Sequence, residues 1–489
     1  MSEAPLLFLD ANALASPVTS RRRTANMTTD SDVPRPHRRS DYRIPGHLSM
    51  NSSAESQSRR RPNLNQSTVV SMPANQFLDR RVSPVVQARM SEAPVVLLEG
   101  PRSVGKSTLL RELAAKGGVP VADLDDPATA ASVRADSSLW ASGPTPVCID
   151  EYQKAPIILD AVKARLNLET RPGMYLLAGS TRFDALPQIA QSLTGRLQRI
   201  PVMPFTQTEI ERTDNRLLEQ AFAGDVERRA QPSPTSRQDY LQRVTTGGFP
   251  LALALPTPAG RSRWFADQIR LTLERDARET RGFANAVALS TLLTRLAGQT
   301  AQLLNVNRFA AGLGVSANTT ASYIKLLEAV FLVTTLPAWG LTVGSRAVSS
   351  PKIHVLDSGV GAHLLRLTAA KLDRRDPAAI TEFGHLLESF VVQEFLRQAS
   401  WLDEPTTCGH WRTRDNDEVD LVIERDDGAV VTVEVKAGDH VEKKDLAPIA
   451  KLRTRLGNSF TAGLVLYLGS HGYQADDRIH VLPVDRLWT

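Results

Sequence analysis

The stretch Gly100–Ser107 reads GPRSVGKS: a glycine, four residues, then glycine, lysine and serine. Each of these types has a physical use against a polyphosphate. A loop of this pattern aims successive backbone N–H groups at anionic oxygen, and a helix beginning at its end adds a favourable dipole. Gly105 permits a close backbone approach that a Cβ would obstruct. Lys106 can reach the outer phosphates, and Ser107 can hold Mg2+. The expected phosphate-binding set is Gly100, Pro101, Arg102, Ser103, Val104, Gly105, Lys106, Ser107 and Thr108, with Arg102 a further charge for a nucleotide. The pattern gains its specificity from context, because APVVLLEG before it reads as a strand and STLLRELAAK after it as a helix.

Three further positions belong to the same chemistry. PVCIDEYQ ends an apolar run in Asp150 and Glu151. At a strand end beside a phosphate loop, Asp150 would complete the Mg2+ shell and Glu151 would polarise an attacking water. Ser180, closing the run GMYLLAGS, would sense the terminal phosphate or orient the water; the plainer reading is a turn residue. Arg196, in SLTGRLQRIPV, is either a transition-state cation, acting in cis or across a subunit boundary of a homo-oligomer, or a surface arginine on a helix.

A second cluster lies far downstream in EVDLVIERDDGAVVTVEVKAG. The DDG at 426–428 fits a three-residue hairpin loop with Gly428 in the left-handed position. That loop pairs Arg425 with Ala429 and therefore sets Asp420 opposite Glu434. Val419, Leu421 and Ile423 then face Val431, Val433 and Val435 as an apolar layer, and a one-residue slip would mix the two faces. Two carboxylates opposed across strands repel unless a cation lies between them, and Mg2+ favours such oxygen ligands. Lys436 points to the same side and could stabilise a developing phosphate charge. Upstream, Glu388 lies on the helical stripe of GHLLESFVVQEFLRQ, where an uncompensated carboxylate is costly. Glu388, Asp420, Glu434 and Lys436 resemble the arrangement of the restriction-endonuclease-like superfamily, an Asp preceding a Glu-x-Lys on adjacent strands. That resemblance implies a metal site formed by Glu388, Asp420 and Glu434, with Glu434 and Lys436 as catalytic groups. The competing reading is a solvated polar face with cancelling charges.

The elements that must hold these sites fall into four segments. Residues 1–75 are rich in Ser, Pro and Asn, and their ten Arg against six acidic residues carry four of the chain's net charge of +5. They read as a disordered basic arm that would touch nucleic-acid phosphates, or as a plain extension, or as the product of an early start codon. Residues 76–250 alternate short apolar runs with helical patterns, the signature of buried parallel strands with helical crossovers. Residues 251–370 read as helical, with LNVNRFAAGLGVSANTTASYIKLLEAVFLV giving a helix, a glycine turn and a second helix capped by Ser316. That pair is either a winged-helix lid or a reader of DNA through Asn318, Thr319, Thr320 and Lys325. Residues 371–489 open with a helix and continue as strands. In SPKIHVLDSGV, neither Lys352 nor Asp357 has an assigned chemistry.

Composition narrows the class. With 42% apolar and 23% charged residues, 489 residues predict a soluble protein of several domains. Two cysteines make neither a disulfide framework nor a zinc site, and no run spans a bilayer, so a cytoplasmic protein without membrane contact is expected.

GPRSVGKSTLL, CIDEYQKAP, LLAGSTR, SLTGRLQRIPVMPFTQTEI, GGFPLAL, PKIHVLDSGV and WRTRDNDEVDLVI together resemble a prokaryotic group of AAA+-like P-loop ATPases joined to a C-terminal domain of uncharacterised function. The resemblance spans about residues 76–440 and implies ATP and Mg2+ as ligands and ATP hydrolysis. The expected fold is α/β: a P-loop ATPase domain with a parallel sheet, a helical, winged-helix-like middle, and a restriction-endonuclease-like C-terminal domain. The expected role is ATP-controlled action on DNA. The alternative is an ATP-dependent switch that binds another protein and keeps the nuclease-like domain as a scaffold.

Overall fold

Strand β1, Val95–Glu99, shows why the first segment folds as it does. Its side chains alternate between two cores, Val96 and Leu98 on one face, Val95 and Leu97 on the other. Only a strand covered on both sides needs an unbroken apolar run. The computed structural model describes residues 78–183, 193–227, 231–276, 286–340, 342, 350–374 and 376–489; the expected basic arm lies outside them. With β2 (Val121–Asp123), β3 (Val147–Asp150), β4 (Tyr175–Gly179) and β5 (Leu197–Pro201), β1 forms a parallel sheet in the order β2-β3-β4-β1-β5. Helix Lys106–Lys116 packs Leu109, Leu110 and Ala114 on the Val96 face, and helix Ile157–Leu168 covers the Val95 face. Leu197–Pro201, directly after Arg196, is strand β5, so the reading of Arg196 as a surface arginine on a helix does not hold; the segment takes the open sheet edge beside β1.

The middle segment contains helices Ala286–Ala297, Val306–Leu313 and Ala317–Ala329 and a small antiparallel sheet. Its strands are β6 (Gln302–Leu303), β7 (Val333–Leu336) and β8 (Lys352–Val355), in the order β6-β8-β7. The turn between the paired helices follows from local chemistry. Gly314 takes a φ of +67° at the end of the first, and Ser316 accepts the Thr319 N–H at 3.0 Å to start the second. Thr320 is fully buried and bonds back to the Ser316 carbonyl, so it is withdrawn from any ligand, whereas Asn318 and Lys325 are exposed.

The last segment begins with the long helix Pro377–Ala399, capped by Asp376. It continues as β9 (Thr406–Arg412), β10 (Glu418–Arg425), β11 (Val430–Lys436), helix Lys443–Leu456, β12 (Phe460–Tyr467), β13 (Tyr473–Asp476) and β14 (Ile479–Pro483). The six-stranded sheet runs β13-β14-β12-β11-β10-β9, parallel along β11-β12-β14 and antiparallel elsewhere. Leu387, Val391 and Phe395 of the long helix pack on Leu421, Ile423, Val431 and Val433, while Ile449 and Leu452 cover Val422 and Val430 on the other face. Helices Leu217–Ala223 and Arg237–Thr246 send Leu218, Phe222 and Tyr240 into the first of these cores. Val419 departs from the expected layer. A bulge against β9 turns it toward Trp411 in the second core.

Candidate functional sites

The phosphate loop is shaped by two glycines. A Cβ on Gly100 would lie 2.0 Å from the Val202 carbonyl oxygen, where the chain leaving β5 crosses the loop. Gly105 has a φ of +94°, and Ser103 also takes a left-handed backbone, so consecutive N–H groups line a concave surface. Lys106 is 4% exposed, and its ammonium donates to the carbonyls of Gly100 and Pro101 at 2.8 Å each. Val104 packs its side chain into the core, leaving only backbone to the loop. From outside, Gln268 donates to the Arg102 carbonyl, so helix Pro258–Leu271 lies over the loop.

Asp150, at the end of β3, bonds the Ser107 side chain. Burial pushes its pKa up, Glu151 and Asp123 add to that, and Ser107 and Lys106 oppose it. A divalent cation beside Ser107 and Asp150 would reverse this direction, so the pair suits Mg2+. Glu151 leaves the strand with a φ of +51°, and its Oε2 accepts from Ser180 Oγ at 3.1 Å and from Gln153 Nε2. Gln153 also donates to Ser180 Oγ at 3.0 Å, closing a triangle. Gln153 carries no motif in the sequence; its only signal is its position two residues beyond Glu151.

Arg196 is not in this assembly. It precedes β5 at the start of β1, where its carbonyl accepts the Val95 N–H and its guanidinium bonds Asn167. The loop begins at the other end of β1, about 13 Å away along the strand. A cis role for Arg196 does not fit this placement.

In the second cluster the hairpin has the register set by its turn. Leu421 pairs with Val433 and Ile423 with Val431, Gly428 has a φ of +84°, and Arg425 and Ala429 are hydrogen-bonded across the loop. Just beyond the last pair, Asp420 accepts the Val435 N–H at 3.0 Å, and Asp420 and Glu434 line the same cleft. Lys436 bonds Glu434 Oε1 at 2.8 Å and lies 3.5 Å from Asp445. Glu434 is 7% exposed, and its Oε2 has no hydrogen-bond partner among the described residues.

The centre of the cluster holds a residue to which the sequence reading gave no task. Lys352, the first residue of β8, is 1% exposed and bonds Glu388 at 2.7 Å, Glu418 at 2.7 Å and Asp420 at 2.9 Å. Arg412 meets the other oxygen of Glu418 at 3.1 Å. Burial would lower the lysine pKa, but the three carboxylates hold it well above its ordinary value. Burial pushes Asp420 up; Lys352 and the Val435 N–H outweigh that and leave it below the usual range. Glu388 stays well above its ordinary value, through burial first and then the Asp420 charge, and Glu434 is pushed up to about 8 by the same two causes. Among the described residues, no three acidic, histidine or cysteine side chains converge in the geometry of a metal site. The donors are nonetheless of the right kind: Glu388, Asp420 and Glu434 are hard oxygen ligands, and the solitary Oε2 of Glu434 calls for a positive partner. These carboxylates form the floor of a cleft of about 680 Å3 whose rim carries Arg308, Arg412 and Lys444.

A buried polar joint lies between the two clusters. The chain leaving β5 sends Phe205 N to the Gly248 carbonyl at 2.8 Å, and Gly248 N donates to Asp357 at 2.8 Å. Arg397, on the long helix that carries Glu388, donates to the Phe205 and Leu356 carbonyls, and Glu394 accepts the Gln207 N–H. Two residues beyond Ser180, Arg182 donates its N–H to the Ala329 carbonyl and stacks on Phe331.

Comparison with known proteins finds three family matches along the chain. Residues 92–211 match the family described as an AAA domain, residues 237–371 a domain of unknown function (DUF8612), and residues 383–487 a domain of unknown function (DUF4143). Uncharacterized proteins of Mycobacterium tuberculosis and Mycobacterium bovis are each 26% identical over 403 residues, covering 82% of this chain and 82% of the relative. Among solved structures, a Walker-type ATPase of Pyrococcus abyssi aligns at 12% identity and a TM-score of 0.33, covering 59% of this chain and 96% of its own. The RuvB Holliday junction branch migration motor of Thermotoga maritima aligns at 19% identity and 0.26, covering 53% and 88%. The AAA match falls on the segment that carries the phosphate loop, and identifies it as an AAA-type, ATPase-like domain. No helix among the described residues is long and apolar enough to cross a membrane.

Proposed function

We propose that this chain is an Mg2+-dependent ATPase whose C-terminal domain, restriction-endonuclease-like in make-up, acts on DNA under control of the bound nucleotide. At the first site, the backbone of Gly100–Thr108 and the Lys106 ammonium would cradle the phosphates, and Ser107 and Asp150 would hold Mg2+. The bound ion supplies charge neutralisation to the phosphates. Glu151 would take the proton of the attacking water, with Ser180 and Gln153 fixing its carboxylate. Arg196 would serve a neighbouring copy of the chain in a homo-oligomer.

The observation that carries the DNA reading is Asp420 facing Glu434 and Lys436 beneath a cationic rim. Acidic oxygen at the floor suits a metal, and Arg308, Arg412 and Lys444 suit a phosphate backbone. The capped helix Ala317–Ala329 and the sheet beside it have the composition of a winged helix, with Asn318 and Lys325 free to meet DNA. Incubating a labelled DNA with purified protein and Mg2+ tests this: the DNA should be consumed by the wild type and spared by Glu434→Ala. Equal consumption by both would remove the site. Lys352 among the carboxylates favours a second reading, a non-catalytic scaffold in an ATP-driven switch that binds a protein partner. That reading predicts no metal-dependent loss of DNA at all.

A further inference from the structure

We infer that Lys352 is a built-in cation of the carboxylate site: its ammonium stands where a divalent metal would bind between Glu388 and Asp420, so lysine and metal compete for one position. This rests on the metal-site reading above and adds its regulation.

The lysine saturates its side of the cluster. The ammonium donates hydrogen bonds to Glu388 at 2.7 Å and Asp420 at 2.9 Å and forms an ion pair with Glu418 at 2.7 Å, so three carboxylates surround it. Its side chain is 2% exposed, and burying an ammonium so completely is stable only with such compensation. The cluster itself remains unsaturated. Glu388, Glu418, Asp420 and Glu434 bring four carboxylates, with Asp445 beside Lys436, against Lys352, Lys436 and the rim guanidinium of Arg412, and burial beside Asp420 favours the protonated form of Glu388 and Glu434. The Glu434 side chain is 9% exposed, and its Oε2 has no partner among the described residues. Exchanging the ammonium for a divalent ion would favour the ionised form of Glu388 and Glu434 and give Glu434 Oε2 a partner. The site therefore holds carboxylate oxygen, on Glu434, that the lysine does not use and a divalent ion could.

The origin of the lysine makes the exchange controllable. Lys352 is not part of the C-terminal domain; it opens β8 of the small middle sheet, paired with Leu336 and Leu303. β8 runs directly into Leu356 and Asp357, which bond Arg397 and Gly248, and Gly248 bonds Phe205 on the chain that crosses the phosphate loop at Val202. A shift of β8 by a few ångströms would break all three lysine contacts, and the nucleotide loop touches the same chain of contacts.

Mn2+ is the probe, titrated calorimetrically into the full-length protein without nucleotide. Lys352→Met should gain a site about tenfold tighter than any in the wild type, and its Tm should rise with Mn2+. The added site should vanish in Lys352→Met/Glu434→Gln. Equal Mn2+ affinity in wild type and Lys352→Met would overturn the competition while leaving the metal site intact. No Glu434-dependent binding in either would sink the metal site itself, and this inference with it. Should Lys352→Met not fold, acylation of wild-type lysines, read peptide by peptide, decides the matter. Lys352 should be protected in the bare protein and exposed with ATP and Mn2+, and unchanged protection would refute the exchange.

Discussion

Glu394 offers a sharp test of the joint between the two sites. It is wholly buried on the long helix and accepts the Gln207 N–H through both oxygens, at 3.2 and 3.0 Å. Burial pushes its pKa up to about 7; Arg397 and the Gln207 N–H pull it down, and the Glu209 and Asp357 charges push it up. In the unfolded chain it titrates near 4.5. Between these values the folded chain holds a proton that the unfolded chain has lost. The stability from this group is therefore complete below about pH 4.5 and is lost as pH rises through 7. At about 1.4 kcal/mol per pH unit, the window is worth about 3 kcal/mol. Glu394→Gln keeps an acceptor for Gln207 and removes the titration. Urea unfolding followed through Trp488, which packs on Phe390 of the same helix, reads the effect at pH 5, 6, 7 and 8. The other titrating groups are common to both proteins, so wild type should lose about 3 kcal/mol relative to the variant across this range. Parallel pH profiles would refute the reasoning.

Two further substitutions address the phosphate site. Gly100→Ala places a Cβ 2.0 Å from the Val202 carbonyl, which is backbone and must move; unfolding should cost about 2 kcal/mol less, measured by urea titration, and ATP affinity should fall. Ser180→Ala removes one of the two groups holding Glu151, so steady-state kinetics should show kcat lowered about tenfold with KM for ATP little changed.

What could be read from the sequence was what is local. The phosphate loop is one contiguous string whose chemistry depends on neighbours in the chain, and the hairpin register follows from a three-residue turn and two incompatible faces. The rest depends on distance and competition. Lys352 meets Asp420 from 68 positions upstream, and no pattern in PKIHV announces that contact. β5 is five residues with mixed exposure, and it is a strand because β1 offers it an edge. Val419 leaves the layer that alternation predicts because a bulge, invisible in the alternation of its neighbours, turns it to the other core. Gln153 acts through a triangle that only folding closes. The paired helices of the middle were legible from Gly314 and Ser316, but Thr320 faces inward to the Ser316 carbonyl.

Under this proposal the nucleotide site governs the carboxylate site. The most direct measurement of that control is the effect of ATP on Mg2+-dependent loss of labelled DNA, compared between wild type and Lys106→Ala. ATP should change the rate in wild type and leave Lys106→Ala unaffected. The same ATP response in both proteins, or intact DNA in every condition, would contradict it.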